Sequence, residues 1–446
     1  MARARRRRGL SDLALVAVAS FAVQGGLAAY GALINPFVVK DLHLGAQALG
    51  GLESLREVPG FLTVVLAAVT VRFREARLAA AALLLMGLGL AATAGAHTWV
   101  FLVAAGMVWS VGFHLFAPLN NGLAMAAADE GQEGRALGIV GGIGAVGGMV
   151  ALVMVFLVVG PLGRGGAFIP AGLIVVAGAV ALLFMRKAKV VARPRLLVRR
   201  RYGIYYTLTL LDGSRRQIFS TFAVFLLAQN YHLDVQQLVP LLVFNGLVTA
   251  VATPYIGRLI DRYGERRMLA INYACLIPLF AGYALVHNLF VLGVLYCLDN
   301  AFFAFGLGIN SYLGRIAPPE DLTPSLVMGS TVNHIAAVGV PVVGGLLWAK
   351  IGYEVTFLAG AATCLLSVLA ALAIRPDALS APRSSIEGIE GIEGIEGIEG
   401  IEAIKAIEAM EERGELPITA LGRGEGAVAI APDMAANGPS GAEAAR

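Results

Sequence analysis

Apolar runs of about 20 residues, long enough to cross a bilayer core as helices, recur along this chain from residue 12 to residue 374. No other feature restricts its fold as much. In hydrocarbon every backbone N–H and C=O must find a partner within the protein, so only helices and closed barrels span. The runs are continuous rather than alternating, which disfavours a barrel. The chain is 58% hydrophobic and 14% charged, with a mean hydropathy of +0.76. Soluble domains carry roughly a quarter charged residues, so an ordinary soluble enzyme is excluded. An all-α membrane protein is expected.

Twelve transmembrane helices are predicted, over 12–36, 46–71, 78–96, 98–127, 136–160, 166–185, 202–229, 236–257, 268–287, 289–316, 324–348 and 352–374. The basic stretch Arg3 to Arg8 resembles a signal-peptide flank, but the apolar run behind it continues to about Val39, too long for a signal core. Residues 1–11 are therefore read as a basic cytoplasmic N-terminus. Loop charges fix the orientation, because cytoplasmic loops collect Lys and Arg. Arg72, Arg74, Arg77, Arg135, Arg258, Arg262, Arg266, Arg267 and eight Lys/Arg between Arg186 and Arg201 fall on one side, with Arg315 at a helix end there. The other side holds Lys40, Arg164 and Lys350. An inner-membrane protein with both termini cytoplasmic is expected. The arginine clusters flank apolar spans and read as topology signals, not as a nucleic-acid surface.

The basic segment 186–201 divides the spans into two pseudo-symmetric six-helix halves, 12–185 and 202–374. Asn121 leaves a helix, crosses Asp129, Glu130 and Glu133, and re-enters at Leu137-Gly138; Asn310 starts a similar passage across Glu320 and Asp321 to Met328-Gly329. Parallel repeats of this kind suggest halves that rock around a central cleft. Residues 375–446 differ: from Ile386 they repeat Ile-Glu-Gly, a period that fits no helix, and glycine disfavours one. A low-complexity, disordered cytoplasmic tail is expected. Cys275, Cys297 and Cys364 lie inside apolar runs without CxxC spacing, and are read as small buried side chains.

Between spans eight and nine the sequence reads Gly257-Arg258-Leu259-Ile260-Asp261-Arg262-Tyr263-Gly264-Glu265-Arg266-Arg267. It resembles the G-x-L-a-D-R-x-G-R-K signature of the major facilitator superfamily. With the twelve spans, the central basic loop and the repeat, the resemblance covers about residues 10–375. It implies that Gly257, Asp261, Arg262, Gly264, Arg266 and Arg267 form a gating loop, in which Asp261 latches onto a neighbouring helix N-terminus. The corresponding loop between spans two and three, Val69 to Arg77, lacks the glycine and the aspartate. The span-five glycines Gly138, Gly141, Gly142, Gly144, Gly147 and Gly148 resemble an exporter motif without its proline.

Charges inside the membrane are the second constraint. Each costs about 2.5–3.5 kcal/mol at the bilayer centre, so each needs a partner or water. Glu53, Arg56 and Glu57 on span two, and Asp212, Arg215 and Arg216 on span seven, both show i, i+3, i+4 spacing and so occupy one helical face each. At about 1.5 Å per residue, both sets fall near the midplane. Their formal charges are opposite, so they are expected to neutralise one another across the halves. Gln24, His114, Asn245, Asp299, Asn300, Asn333 and His334 fall at similar depth. A substrate and proton-coupling layer is expected, with Glu53, Glu57, Asp212 and then Asp299 as proton carriers. Arg56, Arg215 and Arg216 would bind an anionic group or hold the acids charged. The alternative is a salt-bridge network that joins the halves without touching substrate. Taken singly, His114 and His334 fit satisfied core histidines.

The chain has no GxxxxGK(S/T) phosphate loop, no HExxH or CxxC metal spacing and no GxSxG elbow, so no cofactor, metal or enzymatic activity is expected. The expected function is alternating-access secondary transport of a small solute by a monomer, proton-linked and leaning toward export as an antiporter. Uptake of an organic anion by symport is the alternative within that class. A membrane sensor or scaffold on the same fold is the alternative outside it.

Overall fold

A computed structural model describes residues 2–61, 75–129, 131–185 and 198–375. The Ile-Glu-Gly tail, most of the basic linker and most of the loop between spans two and three lie outside the described residues.

The first half contains α1 (Ala2–Pro36), which ends in a π-helical turn at Phe37–Asp41, then α2 (Ala46–Phe61), α3 (Glu75–Ala92), α4 (Trp99–Ala127), α5 (Glu133–Gly166) and α6 (Phe168–Leu183). The second half contains α7 (Gly203–Gln229), α8 (Val235–Tyr263), α9 (Glu265–Leu285), α10 (Leu289–Phe302), α11 (Leu307–Ile316), α12 (Pro319–Lys350) and α13 (Tyr353–Leu372). A 3-10 turn at Phe303–Gly306 joins α10 to α11, and the two form one apolar stretch. Counted so, the helices correspond one to one with the predicted spans.

Among the described residues, nine helices are long and apolar enough to cross a membrane, and Phe168–Leu183 is a shorter apolar one. The helices left over are α2 and α7, which carry the charge sets. The protein is a multi-pass membrane protein, and its two faces are called outer and inner here after the loop charges. Two helices are interrupted rather than continuous. Gly163 has φ 71° inside α5, just after Pro161, and breaks that helix near its outer end. Span ten is interrupted at Phe303–Gly306.

Helix ends follow local chemistry. Thr98 and Asn288 accept from the backbone N–H groups of Phe101 and Val291, capping α4 and α10 after the tight turns near residues 97 and 288. Asp234 and Gln237 form a capping box on α8. The outer ends of α1 and α7 share a device. His43 and His232 are the described non-glycine residues with positive φ. Next to them, the N–H groups of Leu44 and Leu233 reach back to the carbonyls of Val38 and Leu227. Both bonds reach six residues back, one further than the closing bond of a Schellman motif. The same offset separates His43 from His232 as separates Asn121 from Asn310.

Within the first half α1 packs on α5 and α6, and α3 on α4 and α6; within the second, α7 packs on α12 and α13, and α9 on α13. Two seams join the halves, α2 with α12 and α5 with α8. Small residues permit the approach. A Cβ on Gly50 would collide with the Pro341 carbonyl, and one on Gly345 with the Ala46 carbonyl. In α5, Gly144 and Gly147 pack against Ser20 and Phe21 of α1, whereas Gly138, Gly141 and Gly142 face open space. Cys297 and Cys364 are buried, but Cys275 is exposed, contrary to expectation. It lies on the outward stripe of α9, where a small apolar side chain costs nothing in a bilayer.

Candidate functional site

The span-two charges form a tight group. Arg56 Nη2 lies 2.6 Å from Glu53 Oε2 and 2.8 Å from Glu57 Oε1, which its position between them on one helical face allows. Tyr30 of α1 donates to Glu53 Oε1 at 3.0 Å. The guanidinium stacks on Trp109 of α4, 4.9 Å from the ring centroid. Glu57 Oε2 turns the other way, 3.2 Å from His334 Nδ1 on α12 and 3.6 Å from His114 Nε2 on α4. This contact crosses from one half to the other.

The span-seven charges form a second group inside the other half. Asp212 Oδ1 accepts from Arg215 Nη2 at 3.0 Å and Nε at 3.2 Å, and from the Tyr273 hydroxyl at 3.3 Å; Asp212 Oδ2 accepts from Arg216 Nη2 at 3.0 Å. Arg215 Nη1 reaches Asp299 Oδ1 on α10 at 3.2 Å. Both guanidiniums lie over the Phe303 ring.

The expected neutralisation of one set by the other is therefore corrected. Asp299 supplies the negative charge that the span-seven set lacks, so two arginines meet two aspartates within the second half. The span-two set keeps two carboxylates against one guanidinium, and its surplus negative charge faces two imidazoles.

Between the groups lies a cavity of about 360 Å³. The first half lines it with Ala28, Tyr30, Gly31, Ile34, Asn35, Leu49, Glu53, Arg56 and Leu152. The second half contributes Phe219, Ser220, Thr221, Val224, Leu242, Tyr296, Asn300 and Phe303. Of the expected polar layer, Glu53, Arg56 and Asn300 reach it. Gln24 lies one turn before Ala28, and Asn245 one turn after Leu242. Asn333 packs against Gly213 beside the span-seven group. Tyr30, Asn35 and the aromatic lining were missed by sequence reasoning. A signal was present: from Gln24, the spacings i+4, i+7 and i+11 give Ala28, Gly31 and Asn35, all three on the wall.

The outer face holds ion pairs that join the halves. Arg164, in the loop between spans five and six, pairs with Asp41 of its own half and with Asp234 of the other, 2.8 Å from Nη1. Lys40 stands 3.3 Å from Asp234 and donates to the His232 carbonyl at 3.0 Å. Burial opposes ionisation of Asp234, but the Val235 N–H, Arg164 and Lys40 outweigh it and hold the carboxyl below the ordinary range. Lys40 and Arg164 entered the sequence reading only as topology charges.

On the inner face the described pairs tie the end of the basic linker to the second half or stay within that half. Arg199 and Arg201 meet Asp321, to which the Tyr202 hydroxyl also donates at 2.7 Å. In the signature loop, Gly264 takes φ 81° and turns the chain from α8 into α9. Arg262 stacks on Tyr263, while Asp261 and Arg267 are exposed and Arg266 is half-buried. Gly257 and Gly264 face open space. The buried acid of the loop is instead Glu265, which accepts from Ser311 and from Arg315, each at 2.6 Å.

The fold has clear counterparts among known proteins. The sequence profile of the Major Facilitator Superfamily matches residues 16–320 and, in a second match, residues 205–421. A multi-drug resistance efflux pump PmrA homolog of Lactococcus lactis subsp. lactis is 27% identical over 114 residues. That match spans 24% of this chain and 27% of the relative, about a quarter of the relative's length. A solved variant of the nucleoside transporter NupG superposes with TM-score 0.69 at 15% identity, covering 81% of this chain and 99% of that one. A bacterial homolog of the human lysosomal transporter Spinster, inward-facing and unoccupied, gives 0.65 at 12%, over 82% and 96%. A D-xylose–proton symporter gives 0.65 at 12%, over 83% and 98%. At these identities the solved structures share the fold alone. The profile matches take in both six-helix halves, and the chain belongs to the Major Facilitator Superfamily of membrane transporters.

Proposed function

We propose that this chain exports a small amphipathic solute, neutral or cationic, by alternating access in exchange for protons. The observation that carries this reading is the cavity between the halves, lined mainly by apolar and aromatic side chains, with the paired Glu53 and Arg56 on its wall. A cleft of that kind buries an organic body and orients it with few polar contacts. The charge balance argues against an anion. Arg56 is committed to two carboxylates, so the wall offers no free positive charge. The direction is supported by the likeness of one segment to an efflux pump.

Proton linkage is assigned to Asp299. It is fully buried, its Oδ1 faces Arg215, and its Oδ2 has no hydrogen-bond partner among the described residues. A proton on Oδ2 sacrifices no existing contact. It would free Arg215 to turn wholly to Asp212 and move α10 relative to α7, next to the cavity residue Phe303. Asp212, which receives four donors, is the poorer carrier.

Proteoliposomes with an imposed pH gradient test the reading. A fluorescent lipophilic cation should be expelled against the proton flow, and Asp299→Asn should leave binding intact while abolishing the dependence on the gradient. Unchanged coupling in that variant would remove the assignment. Uptake of organic anions driven by inward proton flow would establish the symport alternative instead.

A further inference from the structure

We propose that Glu57, His114 and His334 form a binding site for one divalent transition-metal ion of the Zn2+ type, held between the two halves. The three side chains come from α2, α4 and α12, so no local spacing in the sequence announces them. Their ligand atoms all lie within 4.8 Å of one another. Glu57 Oε2 is 3.2 Å from His334 Nδ1 and 3.6 Å from His114 Nε2. A tetrahedral zinc ion with bonds of about 2.0–2.1 Å places its ligand atoms about 3.3–3.5 Å apart. Two of the three separations already suit it. The third closes by movement of His334, the partly exposed member.

The surrounding hydrogen bonds orient the ligands. Ser110 Oγ donates to the Arg56 carbonyl, so its lone pairs are left to accept. His114 Nδ1 stands 3.0 Å from that oxygen and 2.9 Å from the Ser110 carbonyl. Both neighbours accept, so Nδ1 carries a proton, and Nε2, on the side of Glu57, is the nitrogen left to bind a metal. An imidazole fixed through its far nitrogen by a carbonyl is the usual support of a metal-bound histidine. Glu57 is divided in the same sense: Oε1 is taken by Arg56, and Oε2 is left toward the imidazoles.

Space and charge agree. Gly60 lies one turn after Glu57, and a Cβ there would collide with both the His114 and the His334 rings. The surplus negative charge of Glu53, Arg56 and Glu57 suits a cation. Two nitrogens and one oxygen favour Zn2+, Co2+ or Ni2+ over Mg2+ or Ca2+, which require oxygen ligands. Three protein ligands leave a fourth position for water. None of the three ligand residues lines the solute cavity, so the site stands whether or not the transport reading does. Because His334 belongs to the second half, a bound ion would hold α2 and α4 to α12.

The test uses the full chain without a histidine tag, stripped of metal and reconstituted in nanodiscs. Titration with Co2+ should give one ion per chain and the strong visible absorption of four-coordinate cobalt, bleached by Zn2+. Affinity should fall at least tenfold in Glu57→Gln, His114→Gln and His334→Gln, and stay unchanged in the control His287→Gln. Absence of the band, or a band indifferent to all three substitutions, would overturn the proposal. X-ray absorption of the Zn2+-loaded unmodified chain decides the matter if the variants do not fold. A first shell with two imidazoles and a carboxylate is expected, and one without two imidazoles rejects the site.

Discussion

Arg215 on α7 holds Asp299 on α10 at 3.2 Å, and neither side chain has any exposure. Asp212 shares the same guanidinium, so the positive charge sits between carboxylates from two helices. Removing one member of a buried charged group leaves the others unpaired, at about 3–5 kcal/mol. Arg215→Met should therefore destabilise the purified protein strongly in thermal unfolding. The triple change Arg215→Met, Asp212→Asn, Asp299→Asn should recover much of the loss. Equal loss in the single and triple variants would show that packing, not charge, holds this region.

The seam between α2 and α12 depends on glycine. Gly50→Ala drives a methyl group into the Pro341 backbone, and overpacking of this kind costs typically about 1–3 kcal/mol. That cost falls only on the state in which the halves meet at the outer end. Gly50→Ala should shift the protein toward an outer-open state by roughly 5- to 150-fold, since 1.4 kcal/mol is about tenfold. A cysteine at Asn35, in a background where Cys275, Cys297 and Cys364 are serine, should react faster with a membrane-impermeant thiol reagent applied from outside. An unchanged labelling rate would mean that the seam gives elsewhere.

Two acids of the signature loop should behave differently. Glu265 is buried and meets Arg315, whereas Asp261 is exposed. Glu265→Gln weakens a charge-assisted contact of a kind worth about 1.5–3 kcal/mol, and should lower the melting temperature. Asp261→Asn should leave it unchanged and alter only the rate of gate cycling, read as solute flux. A larger melting shift in Asp261→Asn would reverse these roles.

The fold was legible because hydrocarbon imposes it. Spans, loops and the basic asymmetry are properties of consecutive residues, and so is the i, i+3, i+4 spacing that put Glu53, Arg56 and Glu57 on one face. The partners of those charges were not legible. Asp299 on α10 neutralises the α7 arginines, and His334 on α12 meets Glu57, because of helix rotation and neighbour order. One sequence carries little record of either. The signature motif drew attention to Asp261, although Glu265, four residues on, points into the protein. Gln24 marked the cavity face of α1 correctly but lies a turn short of the wall.

The outer latch gives a prediction with a definite sign. Asp234 links Lys40 and Arg164 of the first half to the second. Its carboxyl is held below the ordinary aspartate value of about 3.9. A group depressed in this way contributes its full stabilisation above the ordinary value, and loses it only as pH falls below that toward the lowered one. The latch should therefore stay intact from about pH 8 down to about pH 5, and any pH dependence of flux in that window arises elsewhere. Asp234→Ser separates charge from capping, because serine also caps helices well. These partly exposed pairs are worth about 0.2–1 kcal/mol each. The substitution should raise outside labelling at Asn35→Cys several-fold, equally at pH 5 and pH 8. A ratio of substituted to unsubstituted labelling rates that shrinks toward one between pH 8 and pH 5 would contradict the assignment of Asp234 as its anchor.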